Sequence, residues 1–131
     1  MPGCVLRAAG VDFDVDKFVK SSSLSPCEVY YKGESRRRQG KLYEKSGFNI
    51  VVSAASGDDL QQQIDDALRF LEQNQAEVKR LLSYAEEASL DFGVWQRGEF
   101  GHYYNFPPEL LRLAGGLGLC IELSVYVAAD S

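Results

Sequence analysis

The sequence predicts a single α+β domain over residues 1–131. Its sheet is largely antiparallel, of about five strands with helices packed on one face, in the order β-α-β-β-α-α-β-α-β. Three observations carry this reading. Several short segments alternate apolar and polar residues, the pattern of strands with one buried face. Residues 58–86 and 107–116 instead repeat apolar side chains every three or four positions, as amphipathic helices do. The chain's 131 residues suffice for one core but hardly for two. Helices must then cover the buried face of the sheet.

The elements follow in order. Cys4 to Ala9 reads as the first strand. Asp14 caps a short helix carrying Val15, Phe18 and Val19, which Ser21-Ser22-Ser23 and Pro26 bring to a stop. In Glu28 to Lys32, Val29 and Tyr31 alternate with Glu28, Tyr30 and Lys32, a half-buried strand. A charged hairpin connection spans Gly33 to Lys45, and Phe48 to Ser53 is the third strand. Asp58 with Gln61 forms a capping-box pattern ahead of Leu60, Ile64, Ala67, Leu68 and Leu71. Asn74 with Glu77 repeats that pattern, so the helical stretch breaks near Asn74. Leu90, Phe92 and Val94 form the inward phase of a fourth strand. Pro107 opens the last helix and Gly115-Gly116 closes it. In the last strand, from Leu119, residues Ile121, Leu123, Val125 and Val127 face one way and Cys120, Glu122, Ser124 and Tyr126 the other.

Composition narrows the function classes. With 45% apolar and 25% charged residues, the chain is an ordinary globular sequence. Its net charge of −5 argues against a dedicated nucleic-acid binder. No apolar run is long enough for a membrane span and no signal peptide is apparent, so a cytoplasmic protein is expected. The three cysteines, Cys4, Cys27 and Cys120, are far apart and form no C-x-x-C pair. Cys4 and Cys120 fall in strands, where a small buried hydrophobe is the usual role. His102 is the single histidine, which leaves no zinc quartet and no triad with its nucleophile elbow. No metal and no cofactor are implied.

Two glycine clusters fail as phosphate loops. Gly33 to Gly40-Lys41 has six intervening residues, Leu42 where a hydroxyl is required, and no following helix. Gly115-Gly116-Leu117-Gly118 follows a helix, where the dipole repels anions. Paired acids such as Asp58-Asp59, Asp65-Asp66 and Glu86-Glu87 are adjacent on the chain and diverge on a helix.

Charge distribution says more. Residues 1–56 hold nine basic and six acidic side chains, and residues 57–131 hold five and thirteen, so +3 opposes −8. The hairpin carries Arg36, Arg37 and Arg38 among its basic residues, and reads either as a solvated loop or as an anion contact. The strand phases place Arg7, Tyr30, Lys32, Trp95, Glu122 and Tyr126 on the sheet face opposite the helices. Arginine and aromatic side chains on a polar face suit recognition, unless loops or a second subunit bury them.

The chain resembles the bacterial family catalogued as domain of unknown function 4279. The resemblance lies in Lys32-Gly33-Glu34, Ser46-Gly47-Phe48, Asp59-Leu60 with Gln63-Ile64, and Leu68 through Leu71. It continues in Leu110-Leu111-Arg112-Leu113-Ala114 and Ile121-Glu122-Leu123-Ser124-Val125-Tyr126. It implies a small α+β domain and carries over no activity, catalytic residue or cofactor.

The residues favour binding over catalysis: a protein-interaction module, adaptor or immunity-type, whose partner is another protein. The alternative is a small-molecule or nucleotide binder using Arg36, Arg37 and Arg38 or the loop His102 to Asn105. A homodimer through an edge strand or the open face is a further expectation.

Overall fold

A computed structural model describes residues 2–35, 40–98 and 101–128. Nine elements appear among them: β1 (Cys4–Gly10), α1 (Val15–Lys20), β2 (Glu28–Tyr30), β3 (Ser46–Ser53), α2 (Leu60–Gln73), α3 (Gln75–Leu81), β4 (Glu87–Gln96), α4 (Pro108–Gly116) and β5 (Cys120–Val127). The element order is the one the alternation and helical spacing predict. The strands form one sheet in the order β2-β3-β1-β4-β5. The β2–β3, β3–β1 and β1–β4 pairs are antiparallel, whereas β4–β5 is parallel, so the sheet is mixed. The parallel pair follows from α4, which carries the chain back so that β5 enters in the direction of β4.

Phase decides the layers. Cys4, Leu6 and Ala8 of β1 sit beside Ile50 and Phe48 of β3 and Phe92, Leu90 and Ala88 of β4, all buried. Ile64, Ala67 and Leu71 of α2, Val78 and Leu81 of α3, and Leu110 and Ala114 of α4 cover them in one cluster. An aromatic corner anchors α1, where Phe18 lies 5.8 Å from Phe48 and 5.4 Å from Tyr84, ring centre to ring centre. At 25 cal/mol per Å² or so, each such ring contributes roughly 2–3 kcal/mol of burial.

Local signals differ from expectation in several places. The cap of α2 is Asp59, whose carboxylate accepts from the Gln62 amide at 3.1 Å, because Asp58 is engaged by Arg97. Asn74 does separate α2 from α3. It makes no side-chain N-cap bond, however, and its Nδ2 instead donates to the Phe70 carbonyl at 2.8 Å. Pro107 is the cap of α4 rather than its first residue. The chain turns at Gly118, with φ of +86°, while Gly115 and Gly116 remain in the last turn. The strand at Glu28 ends at Tyr30, leaving Lys32 outside the sheet with its amide on Ser46 Oγ. Tyr31 is exposed and its hydroxyl donates to Asp16 at 2.6 Å. Val125 and Val127 keep the predicted phase, but at the rim of the sheet they are 48% and 79% exposed. No helix among the described residues is long and apolar enough to cross a membrane.

Candidate functional site

Side chains opposite the core emerge on a sheet face that none of the four helices covers. Pairing sets Arg7 of β1 between Asn49 of β3 and Ser89 of β4, and sets Asp91 beside Glu122 of β5. Arg7 Nε lies 3.2 Å from Asp91 Oδ2, and the Ser124 hydroxyl donates to Asp91 Oδ1 at 2.7 Å. Asp91 is nearly buried at 8% exposure, and this pair of donors supplies the hydrogen bonds its charge requires.

Towards β2 the Tyr30 ring packs over Gly47, where a Cβ would collide with the phenol oxygen, and a depression opens beside it at Ala9. The depression holds about 870 Å³ and is lined by Arg7, Ala9, Glu28, Tyr30, Tyr43, Lys45, Asn49 and Glu87, among others. Towards β5 it continues into a recess of about 460 Å³, bordered by Ser89, Cys120 and Glu122, which shares Arg7, Ala9, Tyr30 and Glu87. Arg7 thus stands between two parts of one groove. Tyr30 stacks on Tyr43 at 4.6 Å, and burial pushes its phenol above the ordinary range. Lys45 Nζ donates to Glu87 at 2.7 Å, which raises the lysine's pKa. Asn49 donates to Glu28 at 2.8 Å.

At the far end Trp95 meets Tyr126 edge-on at 6.1 Å, both on the open face. Five of the six predicted face residues, Arg7, Tyr30, Trp95, Glu122 and Tyr126, therefore share this surface. Lys32 does not, because β2 stops two residues before it. Cys120 is exposed here too, which corrects its reading as a buried hydrophobe, whereas Cys4 is buried. Asp91, Ser124, Asn49 and Glu87 are further members of the face. The same alternation that exposes Trp95 and Tyr126 would have picked out Asp91 and Ser124.

The loop His102 to Asn105 lies elsewhere. With Gly57, Asp58, Leu60, Gln61, Trp95 and Arg97 it lines a concavity of about 410 Å³ beside the start of α2. Arg97 holds Asp58 through two bonds of 2.8 and 3.0 Å, and this keeps the Asp58 carboxyl below its ordinary pKa. His102 Nε2 lies 2.7 Å from the Arg97 carbonyl, which can only accept, so that nitrogen carries the proton. Arg36, Arg37 and Arg38 lie outside the described residues. Among the described residues no three His, Cys, Asp or Glu side chains converge as metal ligands.

A family model described as Domain of unknown function (DUF4279) matches residues 3–128, nearly the whole chain. No curated protein and no solved structure matches it.

Proposed function

The chain belongs to the family described as Domain of unknown function (DUF4279), and from that premise we propose that it is a protein-interaction module, adaptor or immunity-type, that meets its partner with the uncovered sheet face. The observation that supports this reading is the groove centred on Arg7, whose guanidinium is held by Asp91, itself fixed by the Ser124 hydroxyl, before any partner arrives. Polar groups fixed in advance lose little conformational freedom on binding, which favours a specific contact. Tyr30 and Tyr43 supply adjoining aromatic surface.

Affinity capture from the native host with the groove recharged tests the proposal. Glu28→Lys combined with Lys45→Glu alters one exposed and one half-buried residue of the groove wall, and Glu72→Lys is a control on the helix layer. We expect at least a tenfold loss of a specific partner with the groove variant and full retention with the control. Equal capture by all three proteins refutes the reading.

A second reading is favoured by the concavity beside α2, where His102, Tyr104 and Asn105 offer polar contacts to a small molecule. A metabolite panel that raises the melting temperature of the parent protein but not of His102→Ala supports it. No stabilisation by any compound counts against it.

A further inference from the structure

The two edges of the sheet are finished differently. β2 has three residues, follows close on Pro26 and carries Glu28; a short, charged edge resists further pairing. β5 has eight residues, contains no proline and carries one charge, Glu122. It pairs with β4 on one side, and on the other no strand among the described residues meets its backbone. Its last three residues are 48%, 37% and 79% exposed at Val125, Tyr126 and Val127. An edge of that length without a guarding device is a template for another strand.

We propose that β5 pairs antiparallel with β5 of a second copy of this chain, about a two-fold axis through Ser124. The strand's own pattern selects this register. With the axis at Ser124, Val127 faces Ile121 of the second copy, Val125 faces Leu123, and Glu122 faces Tyr126. Each exposed valine on the helix side then meets a partly buried apolar residue, and the single carboxylate meets no like charge. An axis at Glu122 would set the two carboxylates against each other. An axis at Leu123 would set Val127 against Leu119, which is already buried and lies outside the strand. The pairing is isologous and closes after two copies. It joins the two open faces side by side, so the recess at Cys120 and Glu122 adjoins the Trp95–Tyr126 end of the second copy's face.

Sedimentation of the full chain tests this, with far-UV circular dichroism to confirm folding. Val125→Lys and Val127→Lys change exposed side chains, and Val29→Lys places the same charge on the β2 edge. The parent and Val29→Lys are expected at twice the monomer mass, and each β5 variant at the monomer mass. Amide hydrogen exchange in β5 should be slow at dimer concentrations and speed up on dilution, at least tenfold. A monomeric parent at high concentration overturns the proposal. So does a dimer that survives both β5 lysines, one that Val29→Lys dissolves equally, or one whose β5 amides exchange freely. These readouts are independent of partner capture, so this proposal and the groove reading fail separately.

Discussion

Gln63 Nε2 donates to the Gly93 carbonyl at 2.8 Å, and the Gly93 amide approaches Gln63 Oε1 at 3.3 Å, so a helix side chain pairs with a strand backbone inside the core. The same nitrogen reaches the Ser56 carbonyl at 3.1 Å. Gln63 is fully buried, and its amide fastens α2 to β4 and to the segment leading into the helix. Gly93 is crowded by Pro2 and Gly3, whose atoms lie 3.0 to 3.2 Å from where its Cβ would be. A side chain there would press β4 away from the backbone of residues 2 and 3, where the Gly93 amide donates to the Gly3 carbonyl at 2.8 Å.

Replacing Gln63 by Leu keeps the volume and removes the side-chain donor from the Gly93 carbonyl, while the Ser56 carbonyl keeps the Asp59 amide at 2.9 Å. A buried acceptor that loses its donor costs about 1–3 kcal/mol, so a loss of that order is expected. A urea titration should show a lower midpoint at unchanged slope. A change under about 0.5 kcal/mol would mean that the Gly93 carbonyl does not depend on this amide.

The Arg7–Asp91 pair gives a coupled expectation. Arg7→Met leaves the nearly buried Asp91 carboxylate with the Ser124 hydroxyl alone, at an expected cost of about 1–2 kcal/mol. Adding Asp91→Asn removes the uncompensated charge, so the double variant should be more stable than Arg7→Met. Additive losses in a double-mutant cycle would show that the two side chains are energetically independent.

Period and phase made most of the fold legible. Alternation in 4–9 and 90–95 marks which side chains face the helices, and the spacing of Leu60, Ile64, Ala67 and Leu71 marks the covering helix. What periodicity cannot convey is pairing between distant segments. The parallel β4–β5 contact depends on where α4 delivers the chain, and the groove wall depends on Tyr30 packing over Gly47 of the neighbouring strand. Asp91 was legible as a position on the open face, but its union with Arg7 and Ser124 was not. Gln63 left a trace, since it lies four residues before Ala67 on the buried arc of α2. A glutamine there has to find backbone partners, though the sequence does not say which.

Cysteine reactivity separates the two faces. Cys27 and Cys120 are exposed, whereas Cys4 lies in the core, where burial foremost and then the charges of Asp91 and Asp66 push its thiol pKa up. Under native conditions a thiol reagent should modify two of the three cysteines quickly and the third only on unfolding. Cys120→Ser should leave one fast thiol. Rapid native modification of Cys4 would contradict its place beneath the helices.

Acid should loosen the corner where α3 meets the end of α1. Arg80 Nε donates to Glu77 Oε1 at 2.7 Å, and the Ser23 amide donates to Oε2 at 3.2 Å. The Arg80 hydrogen bonds, followed by those from Ser22 and Ser23, hold the Glu77 carboxyl at about 2 against its ordinary 4.5. Its folded value lies below its unfolded one, so its contribution to stability is fully present above pH 4.5 and is lost as pH falls towards 2. Asp58 and Asp66 are also depressed, by Arg97 and foremost by Ser53 respectively, and act in the same direction. A bare acid titration therefore sums several groups, and a comparison with Glu77→Gln isolates this one. The parent should melt higher than the variant by a constant margin above pH 4.5, and that margin should shrink as the pH is lowered towards 2. Melting curves of both proteins from neutral pH into that range check it, and parallel curves throughout would show that Glu77 titrates alike in the folded and unfolded chains.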